Sequence, residues 1–175
     1  MALAWILVDH WRPDRLNHHG DLLQPAQPVT SFTARRLDGQ PLDSRYFHHH
    51  WTLVVADPGA DCAERCRKAL YYARQIRLAL GKDLARVQTL FLAVTAPSAD
   101  FSAWFAQEHA AMTLAVANTD TVQMFTAAFP PVPATDSRIF LLDPLGNLLL
   151  RYSVDTDPKG IIQDMERLLK YSAIR

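Results

Sequence analysis

Apolar and polar positions follow one another in short blocks along this chain, and most blocks end on a turn-forming residue. Residues 9–31 are polar, carry Pro13, Pro25 and Pro28 and show no period, which predicts a linker. Phe32 to Leu42 reads as strand, Asp38-Gly39 turn and second short strand, a hairpin. Trp51 to Ala56 (WTLVVA) is an apolar run bounded by Pro58 and predicts a buried strand. Asp61 caps the helix expected next, with Glu64 three residues on completing a capping-box pattern. Leu70, Ala73, Ile76 and Leu80 keep helical spacing, and Gly81 stands where a C-terminal cap belongs. Val87 to Val94 predicts a second buried strand, and Ser98 to His109 a helix with Phe101, Trp104 and Phe105 inward. Met112 to Val116 predicts a strand and Asp120 to Phe129 a helix. Ile139–Leu142 and Leu148–Tyr152 flank Asp143-Pro144-Leu145-Gly146-Asn147, a second hairpin. The last helix has Asp157 as cap, Pro158 at its first position and Ile161, Ile162, Met165, Leu168 and Leu169 as its apolar stripe.

Helices alternating with apolar strands imply right-handed crossovers and an α/β architecture. The closing hairpin makes the central sheet mixed, with helices on both faces. This order fits a thioredoxin-like fold with an N-terminal hairpin and an insertion around residues 98–129. In such sheets chemistry gathers beyond the carboxyl ends of the parallel strands. The chain divides into residues 1–30, an N-terminal membrane-anchor stub and linker, and residues 31–175, the thioredoxin-like domain. Ala2 to Val8 (ALAWILV) is too short to cross a hydrocarbon core, which needs ~20 residues. It reads as the outer end of a membrane helix, or as a short buried element. The positive n-region and small-residue cleavage site of a signal peptide are missing. A formal net charge of zero gives no reason to expect nucleic acid as a partner.

The candidate chemistry lies in Asp57-Pro58-Gly59-Ala60-Asp61-Cys62-Ala63-Glu64-Arg65-Cys66, which holds both cysteines of the chain. Positions i and i+4 share one face of a helix, with Cα atoms ~6 Å apart, within reach of a disulfide. Two thiolates so placed also suit one soft ion such as Cu(I). A cysteine in an apolar core is often inert, but these two stand among Asp61, Glu64, Arg65, Arg67 and Lys68. Asp57 and Asp61 oppose thiolate formation while Arg65, Arg67 and Lys68 favour it, so the sequence leaves that balance open. A peroxiredoxin would want Thr or Ser three residues before its reactive cysteine, where this chain has Gly59.

The chain resembles the Sco/SenC family of thioredoxin-fold proteins. Four features carry the resemblance: the FTARRLDGQPL hairpin, the strand WTLVVADPG leading into Cys62-x-x-x-Cys66, the long helix after it, and IFLLDPLGNLLLRY followed by a terminal helix. It spans about residues 30–172, and the three-residue spacer between the cysteines is its most specific element. The resemblance implies a part in cytochrome c oxidase assembly, copper as the candidate cofactor, and a respiratory oxidase subunit or another thiol or copper protein as partner. It also implies an inner-membrane tether with the domain facing the periplasm. The expected chemistry is dithiol–disulfide exchange, with Cys62 attacking and Cys66 resolving. Two alternatives stand beside it: a chaperone holding Cu(I) between Cys62 and Cys66, and a non-catalytic scaffold. The family completes its copper site with a histidine where this chain has Asp136, and a carboxylate is a poor donor to Cu(I). His48-His49-His50 precedes strand WTLVVA, ~20 Å from Cys62 at the rise of a strand, and reads as a solvated loop. His10, His18 and His19 belong to the linker, from which they can fold over the site. His109 closes a helix, where a cationic side chain suits the dipole.

Overall fold

The structure, a computed structural model, describes residues 18–57, 62–131 and 138–172. The expected cap Asp61, the ligand-position residue Asp136, Gly59, His10 and the segment Ala2–Val8 lie outside the described residues. The elements run β1 (Asp21–Pro28), β2 (Thr33–Arg36), β3 (Pro41–Asp43), β4 (Trp51–Asp57), α1 (Glu64–Ala79), β5 (Val87–Ala93), α2 (Ala99–Glu108), β6 (Thr113–Ala117), α3 (Thr119–Ala127), β7 (Arg138–Leu142), β8 (Asn147–Ser153) and α4 (Pro158–Tyr171). The strands form one mixed sheet in the order β1-β8-β7-β4-β5-β6-β2-β3. β4 is parallel to β5 and β5 to β6, while every other neighbouring pair is antiparallel.

Strand period sorts the core into two layers. Leu53 and Val55 of β4 face one side, where α1 contributes Leu70, Ala73 and Ile76 and α4 contributes Ile161, Met165 and Leu169. Val54 and Ala56 face the other, against Val122 and Phe125 of α3 and against Phe32 and Phe47. The expected helices on both faces are present. α2 joins the first layer through Phe91, Phe101 and Phe105, whose ring centroids lie 5.9–6.1 Å apart.

The linker expectation is corrected over Asp21–Pro28, which pairs antiparallel with β8 at the edge of the sheet. Prolines are tolerated there because an edge strand leaves one row of N–H groups unused. The buried Arg151 of β8 holds this strand, donating to Asp21 Oδ2 through Nη2 (2.7 Å) and to the Pro130 carbonyl through Nη1 (2.8 Å). Just upstream, His19 lies flat on α4. Its backbone N–H and Nδ1 meet the two carboxylate oxygens of buried Asp164 at 2.8 and 3.0 Å, and the Tyr152 hydroxyl donates to the same group at 3.2 Å. Gly160 allows this approach, since a Cβ there would stand 2.5 Å from the His19 ring.

His109 also departs from expectation. It closes α2 as its C-cap, but it is 3% exposed and packed 5.2 Å from the ring centroids of both Trp104 and Phe105, not held in water as a cation. Desolvation holds its pKa below the usual histidine value, the Arg74 charge adds to this, and Glu108 opposes it. The half-buried His18 is shifted the same way, again chiefly by desolvation. A histidine held neutral in the fold takes up a proton on unfolding near pH ~6.5, so its contribution is present above that pH and is lost as pH falls. Urea unfolding should therefore show stability dropping between pH 7 and pH 5, and His109→Phe should remove part of the drop, up to about 1 kcal/mol. An unchanged pH slope in the variant would contradict this account of His109.

Candidate functional site

The site forms where β4 ends. β4 and β5 run parallel in register from Trp51↔Val87 to Asp57↔Ala93, so their carboxyl ends finish side by side. The segments leaving them lead into the N-termini of α1 and α2. The N-cap of α1 is Ala63, with no side-chain cap, and Glu64 is the first helical residue. This corrects the capping-box expectation. It also moves Cys62 one residue ahead of the N-cap, while Cys66 lies in the first turn.

The two cysteines are joined, with Cα atoms 5.2 Å apart and an S–S distance of 2.01 Å. The bond joins the residue before the N-cap to the first turn of α1, rather than two positions on one helical face. Its sulfurs have unlike surroundings. Cys66 is 1% exposed and belongs to the core beneath α1, whereas Cys62 is partly exposed at a cavity of about 380 Å³. Phe91, Ala93, Thr95, Pro97, Phe101 and Trp104 form much of the cavity wall. The α2 wall is fixed by Ser98, whose Oγ accepts from the Phe101 N–H at 3.2 Å as N-cap.

The three cations near the cysteines go to different places. Arg65 Nη2 meets Asp155 Oδ2 at 2.7 Å, and Lys68 Nζ stands 3.9 Å from the same carboxylate. The Arg65 hydrogen bond is the largest cause holding the Asp155 carboxyl below the usual range. Arg67 turns the other way. Its Nε donates to the Cys62 carbonyl at 3.2 Å, and its guanidinium lies 4.5 Å over the Trp104 ring and 5.6 Å from Phe101. Stacking of this kind contributes roughly 0.5–1 kcal/mol at an exposed site. Arg67 is thus the cation that reaches the Cys62 cavity. Against it stands Asp57, whose carboxylate oxygen and the two Sγ atoms lie within 4.8 Å of one another.

The sequence reading placed Cys62 and Cys66 together correctly. Arg67 and Asp57 entered it as undifferentiated charges, and Trp104 as an inward core residue. The available signal was positional: an acid closing an otherwise apolar strand, and an aromatic i,i+3 pair, Phe101 and Trp104, on the next helix. Among the described residues no histidine joins the site. His18 and His19 lie against α4, and His48–His50 precede β4 at its opposite end.

Comparison with known proteins follows the same lines. The family described as transmembrane-like, thioredoxin-like, C-terminal domain matches residues 51–172. Curated proteins give no match to the sequence. Among solved structures, apo Sco1 from Thermus thermophilus superposes with a TM-score of 0.65 at 19% identity, covering 86% of this chain and 96% of that one. Copper-bound yeast Sco1 gives 0.67 at 14% identity, with coverages of 84% and 96%. The thioredoxin domain of a thiol-disulfide oxidoreductase from Bacteroides vulgatus gives 0.56 at 18% identity, with 85% and 96%. The likeness is one of fold, and the fold is thioredoxin-like and Sco-like.

The unlike burial of the sulfurs predicts which one reacts. After reduction, a limiting amount of iodoacetamide should modify Cys62 at least about tenfold faster than Cys66, as read by peptide mass mapping. Arg67→Met keeps the contact with Trp104 but removes the charge, and should slow modification of Cys62 roughly threefold or more at neutral pH. Equal labelling of the two thiols, or an Arg67→Met rate equal to wild type, would show that the site is misread.

Proposed function

We propose, for a chain that belongs to the transmembrane-like, thioredoxin-like, C-terminal domain family, that its function is thiol–disulfide exchange through Cys62 and Cys66. The observation that carries this reading is the closed Cys62–Cys66 bond, with Cys66 buried and Cys62 at a cavity. In the reduced protein the Cys62 thiolate attacks a partner disulfide, forming a mixed disulfide and releasing one partner thiolate. Cys66 then attacks Cys62 Sγ, closing the intramolecular bond and releasing the second partner thiol. Two electrons pass to the partner, and the reverse sequence oxidises a partner dithiol. The Sco-like fold supports placing this exchange in respiratory oxidase assembly, on an oxidase subunit or another thiol or copper protein. On the same reading Ala2–Val8 belongs to a tether in the inner membrane, with the domain facing the periplasm. Among the described residues no helix is long and apolar enough to cross a membrane.

The order of attack is tested by trapping. Reduced Cys66→Ser should accumulate a mixed disulfide with a disulfide-bonded peptide through Cys62, while Cys62→Ser should accumulate far less. If neither variant traps a partner, or wild type fails to exchange in a glutathione redox titration, the reading falls.

A second reading is supported by the grouping of Asp57 with the two sulfurs: reduced Cys62 and Cys66 hold Cu(I). Thiolates suit that ion and a carboxylate does not, so the donor set fits a two-sulfur site with Asp57 as bystander. In competition with a Cu(I) chelator, Asp57→Ala should leave the affinity within about threefold of wild type. Asp136→His should raise it by roughly tenfold or more, supplying an imidazole at the position where the resemblance puts the third ligand. A large loss in Asp57→Ala would make the carboxylate a ligand and contradict the two-sulfur site.

A further inference from the structure

Two arginines of α1, Arg67 and Arg74, lie on the face of that helix that meets α2. Arg74 grips the end of α2, where its Nη1 donates to the Glu108 carbonyl and stands 3.3 Å from Glu108 Oε2. Arg67 meets the middle of α2 in another way. Among the described residues no carboxylate pairs with it, and its guanidinium lies 4.5 Å from the Trp104 ring centroid. The Nε of the same group donates to the Cys62 carbonyl at 3.2 Å. One cation therefore touches both the cysteine segment and an aromatic face, and Cys62, Arg67 and Trp104 line one cavity of about 380 Å³.

The Trp104 ring is itself held. Its centroid lies 5.3 Å from that of Phe101 and 5.2 Å from that of His109, the latter at an interplanar angle of 70°. The Ser98 cap and the Arg74 contact fix the two ends of α2, so the ring offers Arg67 a face in a set place. Arg67 has other choices. It is exposed on α1, and Glu64 stands three residues earlier, a spacing at which helical ion pairs form. The exposed Asp100 lines the same cavity. Either carboxylate, or water, would draw the guanidinium away from Cys62 if the aromatic face were missing.

We propose that Trp104 is a positioning residue for the exchange: its ring holds the Arg67 guanidinium beside Cys62, and through that cation favours the Cys62 thiolate. The inference rests on the proposed use of Cys62 in exchange, but its test needs no exchange partner. The full chain is reduced and alkylated with iodoacetamide, and Cys62 is followed by peptide mass mapping from pH 7 to pH 10. Over that range His109, on the other side of the ring, is uncharged. Trp104→Leu and Trp104→Phe are compared, each with and without Arg67→Met. Loss of a nearby cation raises a thiol pKa, so the Trp104→Leu profile should move to higher pH and its rate at pH 7 should fall roughly threefold or more. Trp104→Phe keeps an aromatic face and should recover most of that rate. In the Arg67→Met background Trp104→Leu should cause no further loss, because the charge through which the ring acts is already gone. Circular dichroism and reoxidation to the Cys62–Cys66 bond check that each variant is folded. A loss from Trp104→Leu that persists undiminished beside Arg67→Met would make the ring a wall of the cavity and not the holder of Arg67. A Trp104→Leu profile equal to wild type would show Arg67 held by other groups, and a Trp104→Phe rate as low as that of Trp104→Leu would show that the aromatic face is irrelevant. Each of these overturns the proposal. A pair that alkylates as expected yet fails to exchange with glutathione would instead remove the exchange reading and leave the hold of Trp104 on Arg67 standing.

Discussion

Strand β4 is bonded along its length on both sides, parallel to β5 and antiparallel to β7, and the site depends on that double ladder. A strand at an edge can shift by a residue at modest cost, whereas β4 cannot slip without breaking two registers and turning Leu53 and Val55 out of their layer. Its carboxyl end is therefore fixed, and with it Asp57. Five residues later Cys62 must lie close to that end, because α1 starts at once and is held onto the sheet by Leu70, Ala73 and Ile76. The disulfide then joins the residue ahead of the N-cap to the first turn of α1. The parallel pairing of β5 brings Ala93 level with Asp57, which starts the segment to α2 beside the cysteines and makes one wall of the cavity.

Most elements were legible because their apolar periods were strong and their caps local. Asp157 with Pro158, Ser98, and the turn residues Gly39 and Gly146 each act within a few positions of themselves, and each sits where the sequence put it. What was not legible depended on distant partners. β1 has neither alternation nor β-branched residues, and its pairing rests on Arg151, far along the chain. His109 looked like a helix-end cation until Trp104 and Phe105 closed over it. Arg65, Arg67 and Lys68 are nearly adjacent, yet Asp155, ninety residues beyond Arg65, draws off two of them and leaves the third to Cys62. Charge counting along a segment cannot sort such ions, because the sorting belongs to the fold.

The separation of the two sulfurs follows from the same geometry. Cys66 lies in the first turn of α1 on the face that the sheet covers, so its burial is the price of anchoring the helix. Cys62 precedes the helix, where the backbone is extended and the side chain can meet the cavity. Arg67 ties the Cys62 carbonyl to the α2 wall through its stack on Trp104, so the position of Cys62 is linked to the helix beside it.

A pair arranged in this way is better suited to exchange than to a tight metal centre. Exchange is served by one cysteine at a cavity, a second in the core and a bond between them, and each is present. A Cu(I) centre needs donors converging from more than one side, with soft or borderline atoms. Among the described residues the additional donor near the sulfurs is the carboxylate of Asp57, and the histidines stand elsewhere, on α4, ahead of β4 and under Trp104. Asp57 is nonetheless placed to matter in exchange. A negative charge within 4.8 Å of the sulfurs weighs against thiolate in the reduced pair and so toward its protonated form, while Arg67 weighs the other way. One of these charges closes β4 and the other lies in the first turn of α1, and the position of both traces back to the central strand.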